Sequence, residues 1–270
     1  EMEKQDLFPS DYIKVLEPPS NYIGPEKIFL DEDISNRTIK IIDDYEDVLD
    51  LKHKNLVPVD DLPESLYQAI RIFILSKVIR NLRGDEKQHS TMMINVSRFN
   101  SVQDEVHGLV YEYINELSHH VELNANVSYL SKKSHLLEIF KDDYEKEFLN
   151  NKDSDYHYPA WDKIRSNLTK VIRSIKVQVV NMRRGSLDYE QFKDEGLTVI
   201  AIGGLALSRG LTLEGLSISY FLRSAKMPMY DTLMQMGRWF GYRTGFEDFE
   251  ENLGLYLNQL GKAVVKNIDL

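Results

Sequence analysis

The chain has 270 residues, of which 42% are hydrophobic, enough to bury a full core in one large domain or in one domain with an appendage. Its formal net charge of -10 excludes a protein that coats nucleic acid by charge alone, and its lack of cysteine excludes disulfides and thiolate metal sites. No apolar run is long enough to span a membrane, and the N-terminus lacks the order of a signal peptide. We therefore expect a globular, cytoplasmic protein without a membrane partner.

Residues 1–61 are interrupted by prolines and rich in turn-forming residues. We predict that they form a connector or the tail of a preceding domain. A helix start signal follows at Pro63, and apolar residues then recur at helical spacing over residues 66–82. The spacing predicts a buried helix near the start of a domain that covers residues 62–270.

Short apolar runs alternate with helical patterns along the rest of the chain. The strand candidates are residues 91–96, 176–180, 197–202 and 216–222. The third run is apolar throughout, which is typical of a central parallel strand covered on both faces. Strands that alternate with helices indicate the α/β class, so we predict a mainly parallel sheet flanked by helices.

The polar stretch 118–175 has helical periodicity and predicts a helical insertion between two strands. It contains four histidines, but no pair has the helical spacing of a zinc motif with its carboxylate base. We therefore predict no metal site in the chain. The four are His119, His120, His135 and His157.

The residues that point to function lie between positions 198 and 243. An apolar strand ends at Gly203 and Gly204, and a later helical pattern leads into a Gly-rich segment with Arg238 and Arg243. The guanidinium fork matches phosphate oxygens, so two arginines beside small residues predict a phosphate or carboxylate clamp. The alternative is that one arginine forms an ordinary ion pair with a nearby carboxylate.

A complete ATP site is missing from the sequence. There is no Walker A loop, and no apolar strand closes on an Asp-Glu pair that would hold magnesium. If the chain contacts ATP, it therefore contributes only half of the site.

Three strings in the chain resemble the Z-one domain family: MMINVSRFNSVQ at 92–103, VIAIGGLALSRGLTLEGL at 199–216 and DTLMQMGRWFGYR at 231–243. The string PPSNYIG at 18–24 is also similar to that family. The family is found in ATPases of bacterial restriction and defence systems, and its members are often described as endonucleases. More remotely, the first three strings resemble motifs IV, V and VI in the second RecA-like domain of superfamily-two helicases. The resemblance covers nearly the whole chain and implies a RecA-like fold.

The resemblance also implies roles for individual residues. In the helicases, the glutamine and arginines of motif VI face the γ-phosphate that the first RecA-like domain holds, and the last arginine acts as the finger. The matching residues implied here are Gln235, Arg238 and Arg243 for catalysis, Arg209, Gly210, Thr212 and Gly237 for the nucleotide, and Ser97, Arg98 and Ser208 for the nucleic-acid backbone.

Some positions depart from the helicase pattern. Gln235 stands one residue closer to the Gly-Arg pair, and Arg243 lies two residues farther from Arg238. Either arginine is therefore a candidate for the finger. Thr212 occupies the position of the acidic residue in motif V.

The resemblance implies the C-terminal motor domain of a DNA-dependent ATPase, inactive as an isolated chain. ATP and Mg²⁺ would be bound mainly by an upstream RecA-like domain, and the expected partners are DNA, that domain and a nuclease or other restriction-system subunit. One alternative is a DNA-cleaving endonuclease domain, although the chain lacks a recognisable motif of metal-binding carboxylates. The other alternative is a non-catalytic module that binds a partner through residues 118–175.

Overall fold

The computed structural model describes residues 19, 21–46, 48–49, 54–125, 135–149, 158–181, 185, 187–204, 207, 212–222, 241–242 and 254–258. The strands are β1 (Tyr22–Ile23), β2 (Ile39–Ile42), β3 (Ser90–Asn95), β4 (Ile175–Val180), β5 (Thr198–Gly203), β6 (Leu216–Phe221), β7 (Gly241–Tyr242) and β8 (Gly254–Asn258). The helices are α1 (Pro25–Phe29), α2 (Glu32–Thr38), α3 (Glu64–Leu82), α4 (Asn100–Ala125), α5 (His135–Tyr144) and α6 (Trp161–Ser174). A π-helical turn, Glu145–Leu149, continues α5, and a 3-10 turn spans Glu190–Phe192.

Six of the strands form one parallel sheet in the order β2-β8-β6-β3-β5-β4. The four strands predicted from apolar runs are β3, β4, β5 and β6, each within a residue or two of the predicted bounds. β3, β5 and β6 are buried throughout, as strands covered on both faces must be. The predicted α/β class with a parallel sheet flanked by helices is confirmed, and the architecture agrees with a RecA-like domain.

Alternate side chains of the central strands enter two separate cores. Met92 and Ile94 of β3 face α3, α4, α5 and α6, which form a helical layer over one side of the sheet. Met93 faces the other side, where it packs with Ile23 and with Leu187. The central strands therefore need apolar residues at successive positions, which explains the unbroken apolar runs in the sequence.

Helix α3 is the central helix of that layer. It begins directly after Pro63, as the start signal predicts, and most of its residues are buried between the sheet and α6. Two charged residues, Arg71 and Lys77, are buried with it at 5% and 3% exposure. None of the helices that the structure describes has both the length and the apolar composition needed to cross a membrane.

Lys77 joins α3 to the loop that precedes β3, at the amino edge of the sheet. Its Nζ donates to the carbonyl oxygens of Glu86 at 3.0 Å and of Gln88 at 2.9 Å. Burial, with a contribution from nearby Arg80, lowers the pKa of Lys77 to about 8. The two hydrogen bonds fix the loop, while burial makes the charged form of the side chain unfavourable.

The buried lysine predicts that stability increases with pH over a defined window. The pKa of Lys77 is about 8 in the folded chain and higher in the unfolded chain. Above about pH 8 the unfolded chain therefore binds more protons than the folded chain, and raising the pH increases the free energy of unfolding. We expect the free energy of unfolding to rise by about 1–2 kcal/mol between about pH 7.5 and about pH 9.5. Urea denaturation should show this rise in the wild type and a flatter profile in Lys77→Met. Lys87→Met, at an exposed lysine of the same loop, is the matched control; a rise of equal size in Lys77→Met would contradict the prediction.

Part of the stretch predicted as a connector or the tail of a preceding domain, residues 1–61, packs with the sheet where the structure describes it. β2 forms an edge of the sheet beside β8, with Ile39 opposite Leu255, and Ile23 and Ile28 are buried in the second core. The strand has only four residues, and its partner lies near the other end of the chain. Local patterns therefore gave no signal for it.

The stretch predicted as a helical insertion, 118–175, is mostly helical where the structure describes it, and its helices pack into the same core as α3. Its first boundary falls inside α4, which continues to Ala125. Phe140 of α5 and Leu168 of α6 are buried in the same core as α3, and α6 leads directly into β4. These helices complete the layer over the sheet, because α3 alone cannot cover the apolar faces of six strands.

Candidate functional site

The candidate site lies where β3 and β5 end side by side at the carboxyl edge of the sheet. The two strands are parallel neighbours, with Ile94 opposite Ile202, so both chains leave the sheet at the same level. A polar turn, Ser97 and Arg98, follows β3, and Gly204 follows β5. In open α/β sheets this edge is where ligands bind.

Ser97 forms the buried base of the turn. Its hydroxyl accepts a hydrogen bond from the backbone N–H of Phe99 at 3.0 Å, and its carbonyl accepts one from Gln103 Nε2 at 3.0 Å. The residue is only 6% exposed. Ser97 therefore shapes the turn. Of the two residues predicted to contact the nucleic-acid backbone from this turn, Arg98 is the one whose side chain is exposed to solvent.

Arg98 is exposed, and its guanidinium lies over the ring of Phe99, 4.8 Å from the ring centroid. This distance is typical of a cation–π contact, which orients the side chain without neutralising its charge. Among the residues that the structure describes, no carboxylate forms an ion pair with Arg98. The guanidinium can therefore meet an anion without first giving up a partner inside the described part of the chain.

The paired glycines after β5 allow the neighbouring backbones to come close. A Cβ at Gly204 would lie 2.6 Å from the Ser97 carbonyl oxygen and 2.8 Å from Gln103 Nε2, and one at Gly203 would lie 2.5 Å from the Val180 carbonyl oxygen. Any side chain would force these strand ends apart. The groups approached are the turn after β3 and the end of β4.

Thr212 is not brought to this edge. It is exposed and lies three residues before Gly215, whose carbonyl accepts a hydrogen bond from Thr91 N at 3.0 Å at the amino end of β3. Thr91 and Ser97 are six residues apart along a nearly extended segment, about 20 Å, whereas three residues span at most about 11 Å. Thr212 therefore lies well away from Ser97 and Arg98.

The other predicted site residues lie outside the residues that the structure describes. They are Gln235, Arg238 and Arg243 of the predicted catalytic set, Arg209, Gly210 and Gly237 of the nucleotide set, and Ser208 of the nucleic-acid set. Their roles stay predictions.

The ribbon formed by β1 and β7 joins two of the strings that carry the resemblance. Tyr22, in the string 18–24, pairs with Tyr242, which directly precedes Arg243. Gly241 has a φ of 69°, a left-handed conformation that favours glycine. The chain entering Arg243 is therefore held against the N-terminal segment.

Sequence reasoning missed Gln103 as part of this site. It lies one residue after Val102 in the first turn of α4 and is 2% exposed, so it is a polar residue at a core position. A buried amide among apolar neighbours is the signal that could have identified it, since such a group needs a specific hydrogen-bond partner. The partner is the Ser97 carbonyl.

Comparison with models of known protein families shows which family the chain belongs to. The model of the Z1 domain, the Z-one family named above, matches residues 65–256, more than half of the 270 residues. The chain belongs to the Z1 domain family. No match was found among curated proteins or among solved structures.

The Z1 match contains the candidate site and most of the sheet. It begins in α3 and ends in β8, so it includes the turn after β3 and the glycines after β5. β2 lies before the matched residues although it completes the sheet. The folded unit therefore extends beyond the Z1 domain on its N-terminal side.

Proposed function

We propose that this Z1 domain is the C-terminal RecA-like motor domain of a DNA-dependent ATPase in a cytoplasmic restriction or defence system. The proposal is supported by the parallel α/β sheet, by membership of the Z1 family and by the resemblance of three strings to helicase motifs. An upstream RecA-like domain would bind most of the ATP and Mg²⁺. Gln235, Arg238 and Arg243 would then complete the ATP site from this side.

One observation carries the nucleic-acid part of the proposal. Arg98 stands exposed at the carboxyl end of the central strand β3, on a turn whose other residue, Ser97, is buried. An arginine keeps its charge when desolvated and donates in a fork that fits phosphate oxygens. A single strong contact of this kind positions a DNA backbone without reading its sequence. It also suits a chain with a net charge of -10, which can bind DNA only locally.

In this domain one set of residues would bind the DNA backbone and a second set would bind the nucleotide. Arg98 contacts the DNA backbone, together with Ser208 from the segment after β5. The arginines near the C-terminus meet the γ-phosphate, while Arg209, Gly210 and Gly237 supply contacts to the rest of the nucleotide; Thr212, held near the amino end of β3, is left out of this set. Movement on DNA would follow if ATP hydrolysis changes how these two sets are arranged.

Arg98→Ala tests the proposed DNA contact. We expect the substitution to weaken binding of a labelled duplex by roughly three- to tenfold and to reduce the salt slope of the binding constant by about 1. Because Arg98 is exposed, the variant should fold like the wild type. Fluorescence anisotropy between about 50 and about 200 mM salt measures both quantities.

The matched control is Arg173→Ala. Arg173 is an exposed arginine of α6, paired with Glu122 and distant in the fold from the turn after β3. Its removal should leave affinity and salt slope unchanged. If Arg98→Ala also binds DNA like the wild type, Arg98 does not belong to the interface.

A further inference from the structure

Gln103 is a buried amide beside the turn that carries Arg98. It lies in the first turn of α4, 2% exposed, and its Nε2 donates to the Ser97 carbonyl at 3.0 Å. The backbone N–H of Phe99 donates to the Ser97 hydroxyl, also at 3.0 Å. Ser97 is thus held at its side chain and at its carbonyl.

The oxygen of the same amide has no hydrogen-bond partner in the part of the chain that the structure describes. A buried acceptor without a partner costs about 1–3 kcal/mol, whereas a methionine would fill a similar volume without this cost. The orientation of the amide follows from chemistry, because only its NH₂ group can donate to the Ser97 carbonyl. Within the described residues, the polar contact that Gln103 makes is therefore the one that fixes the direction of that carbonyl.

The end of β5 packs against this hydrogen bond. A Cβ at Gly204 would lie 2.6 Å from the Ser97 carbonyl oxygen, 2.8 Å from Gln103 Nε2 and 3.3 Å from the Cα of Arg98. The Ser97 carbonyl therefore has little room to move away from Gln103. A peptide group is planar and trans, so a carbonyl held inward directs the N–H of the next residue, Arg98, to the opposite side.

We propose that Gln103 is a positioning residue for the binding of nucleic-acid phosphates: it holds the Ser97 carbonyl inward, so that the backbone N–H and the guanidinium of Arg98 face outward together. The inference rests on the proposed function. The Arg98 N–H forms no hydrogen bond with the other residues that the structure describes. A backbone N–H beside a guanidinium is a donor pair suited to phosphate oxygens.

Two substitutions at the same position separate this role from ordinary packing. Gln103→Met fills the space without a donor, and we expect it to weaken binding of a labelled DNA duplex by roughly tenfold. Gln103→Glu should bind like Gln103→Met at about pH 8, where the charged carboxylate cannot donate to the Ser97 carbonyl. It should regain affinity, relative to the wild type, toward about pH 6, because burial raises the pKa of the new carboxyl and the protonated acid can donate.

Gln68→Met is the matched control. The amide of Gln68 also donates a side-chain hydrogen bond, to Asp143 Oδ1 at 3.2 Å, but in the helical layer away from the turn. The measurement is fluorescence anisotropy of the full-length protein from about pH 6 to about pH 8, with circular dichroism to compare folding. Gln68→Met should bind DNA like the wild type at each pH.

The outcomes distinguish this inference from the function on which it rests. A loss in Gln103→Glu that is the same at every pH would assign Gln103 to packing and overturn the positioning role. Normal binding by Gln103→Met, with reduced binding by Arg98→Ala, overturns the positioning role and leaves the proposed function standing. If Arg98→Ala and Gln103→Met both bind DNA like the wild type, the positioning role of Gln103 and the proposed contact of Arg98 with DNA are both overturned. If Gln103→Met does not fold, the pH series of Gln103→Glu decides alone.

Discussion

Replacing the arginine finger by alanine is expected to lower the DNA-stimulated ATPase activity of the full-length protein by about 10³ to 10⁵. In the proposed motor, negative charge develops on the γ-phosphate oxygens as the bond to the leaving group breaks. A guanidinium held against those oxygens stabilises the transition state more than the bound substrate, so its loss lowers the maximal rate. The two candidates for the finger are Arg238 and Arg243.

The experiment compares Arg238→Ala and Arg243→Ala with Arg98→Ala in a steady-state ATPase assay with varied DNA. The finger variant should lower the maximal rate at saturating DNA, whereas Arg98→Ala should mainly raise the DNA concentration needed for half-maximal stimulation. Lysine at the finger position keeps the charge but loses the fork, so it should restore little activity. Unchanged turnover in both alanine variants would remove the motor assignment.

The second large effect concerns stability and the buried ion pair between α3 and α5. Arg71 Nε donates to Asp143 Oδ2 at 2.6 Å, and both side chains are 6% exposed. Arg71 also donates to Glu64 at 2.9 Å and to the Tyr113 hydroxyl at 3.3 Å, while Gln68 donates to the other Asp143 oxygen at 3.2 Å. Although burial alone would lower the pKa of Arg71, Tyr113 and Asp143 raise it above its ordinary value, so the guanidinium stays charged.

Breaking this pair on one side should cost about 3–5 kcal/mol of unfolding free energy, because it leaves a charge buried without its partner. Arg71→Met and Asp143→Leu are the single variants, and urea denaturation is the measurement. The double variant should recover most of the loss, since an apolar pair of similar volume avoids the desolvation of two ions. Arg173→Met, at an exposed ion pair, should unfold like the wild type. Losses that simply add in the double variant would show that the two residues do not act as a pair.

The sheet was largely predictable because its central strands are buried on both faces. A strand such as β5 must be apolar at successive positions, and the run at 197–202 carries that signal without any tertiary information. The start of α3 was equally visible, because Pro63 occupies a position that a helix tolerates only at its beginning. These signals are local, so a single sequence is enough to find them.

The parts that the sequence did not predict depend on contacts between distant segments. β2 becomes a strand through pairing with β8, and the sequence of Ile39–Ile42 carries no signal that predicts this pairing. The helices of residues 118–175 looked separate because their outer faces are polar, whereas their buried residues complete the core over α3. For this reason deleting 118–175 is a poor test of partner binding, and point substitutions on the exposed faces are preferable.

The candidate site also contains features that the sequence predicts and features that depend on contacts between distant segments. Arg98 was predicted from its string and lies exposed at the expected edge, but its orientation depends on Gln103 and on the close approach of Gly204. Spacing along a chain does not show which carbonyl an amide will face. Thr212 shows the converse, because its neighbour Gly215 is fixed at the amino end of β3 and carries Thr212 away from the edge where Arg98 lies.

The pairing of β2 with β8 has a consequence for the order in which the chain can fold during synthesis. Ile39 leaves the ribosome before all of residues 43–254, so its partner Leu255 appears much later in synthesis. Until then, β2 has no neighbour and β6 presents an unpaired edge, which is the kind of surface that joins chains to one another. Lys40, in the middle of β2, places a charge on that waiting strand, and in the finished fold it pairs with Glu147 of the π-helical turn. The lysine that forms an ion pair in the folded protein therefore also disfavours association of the unpaired strand with other chains during synthesis.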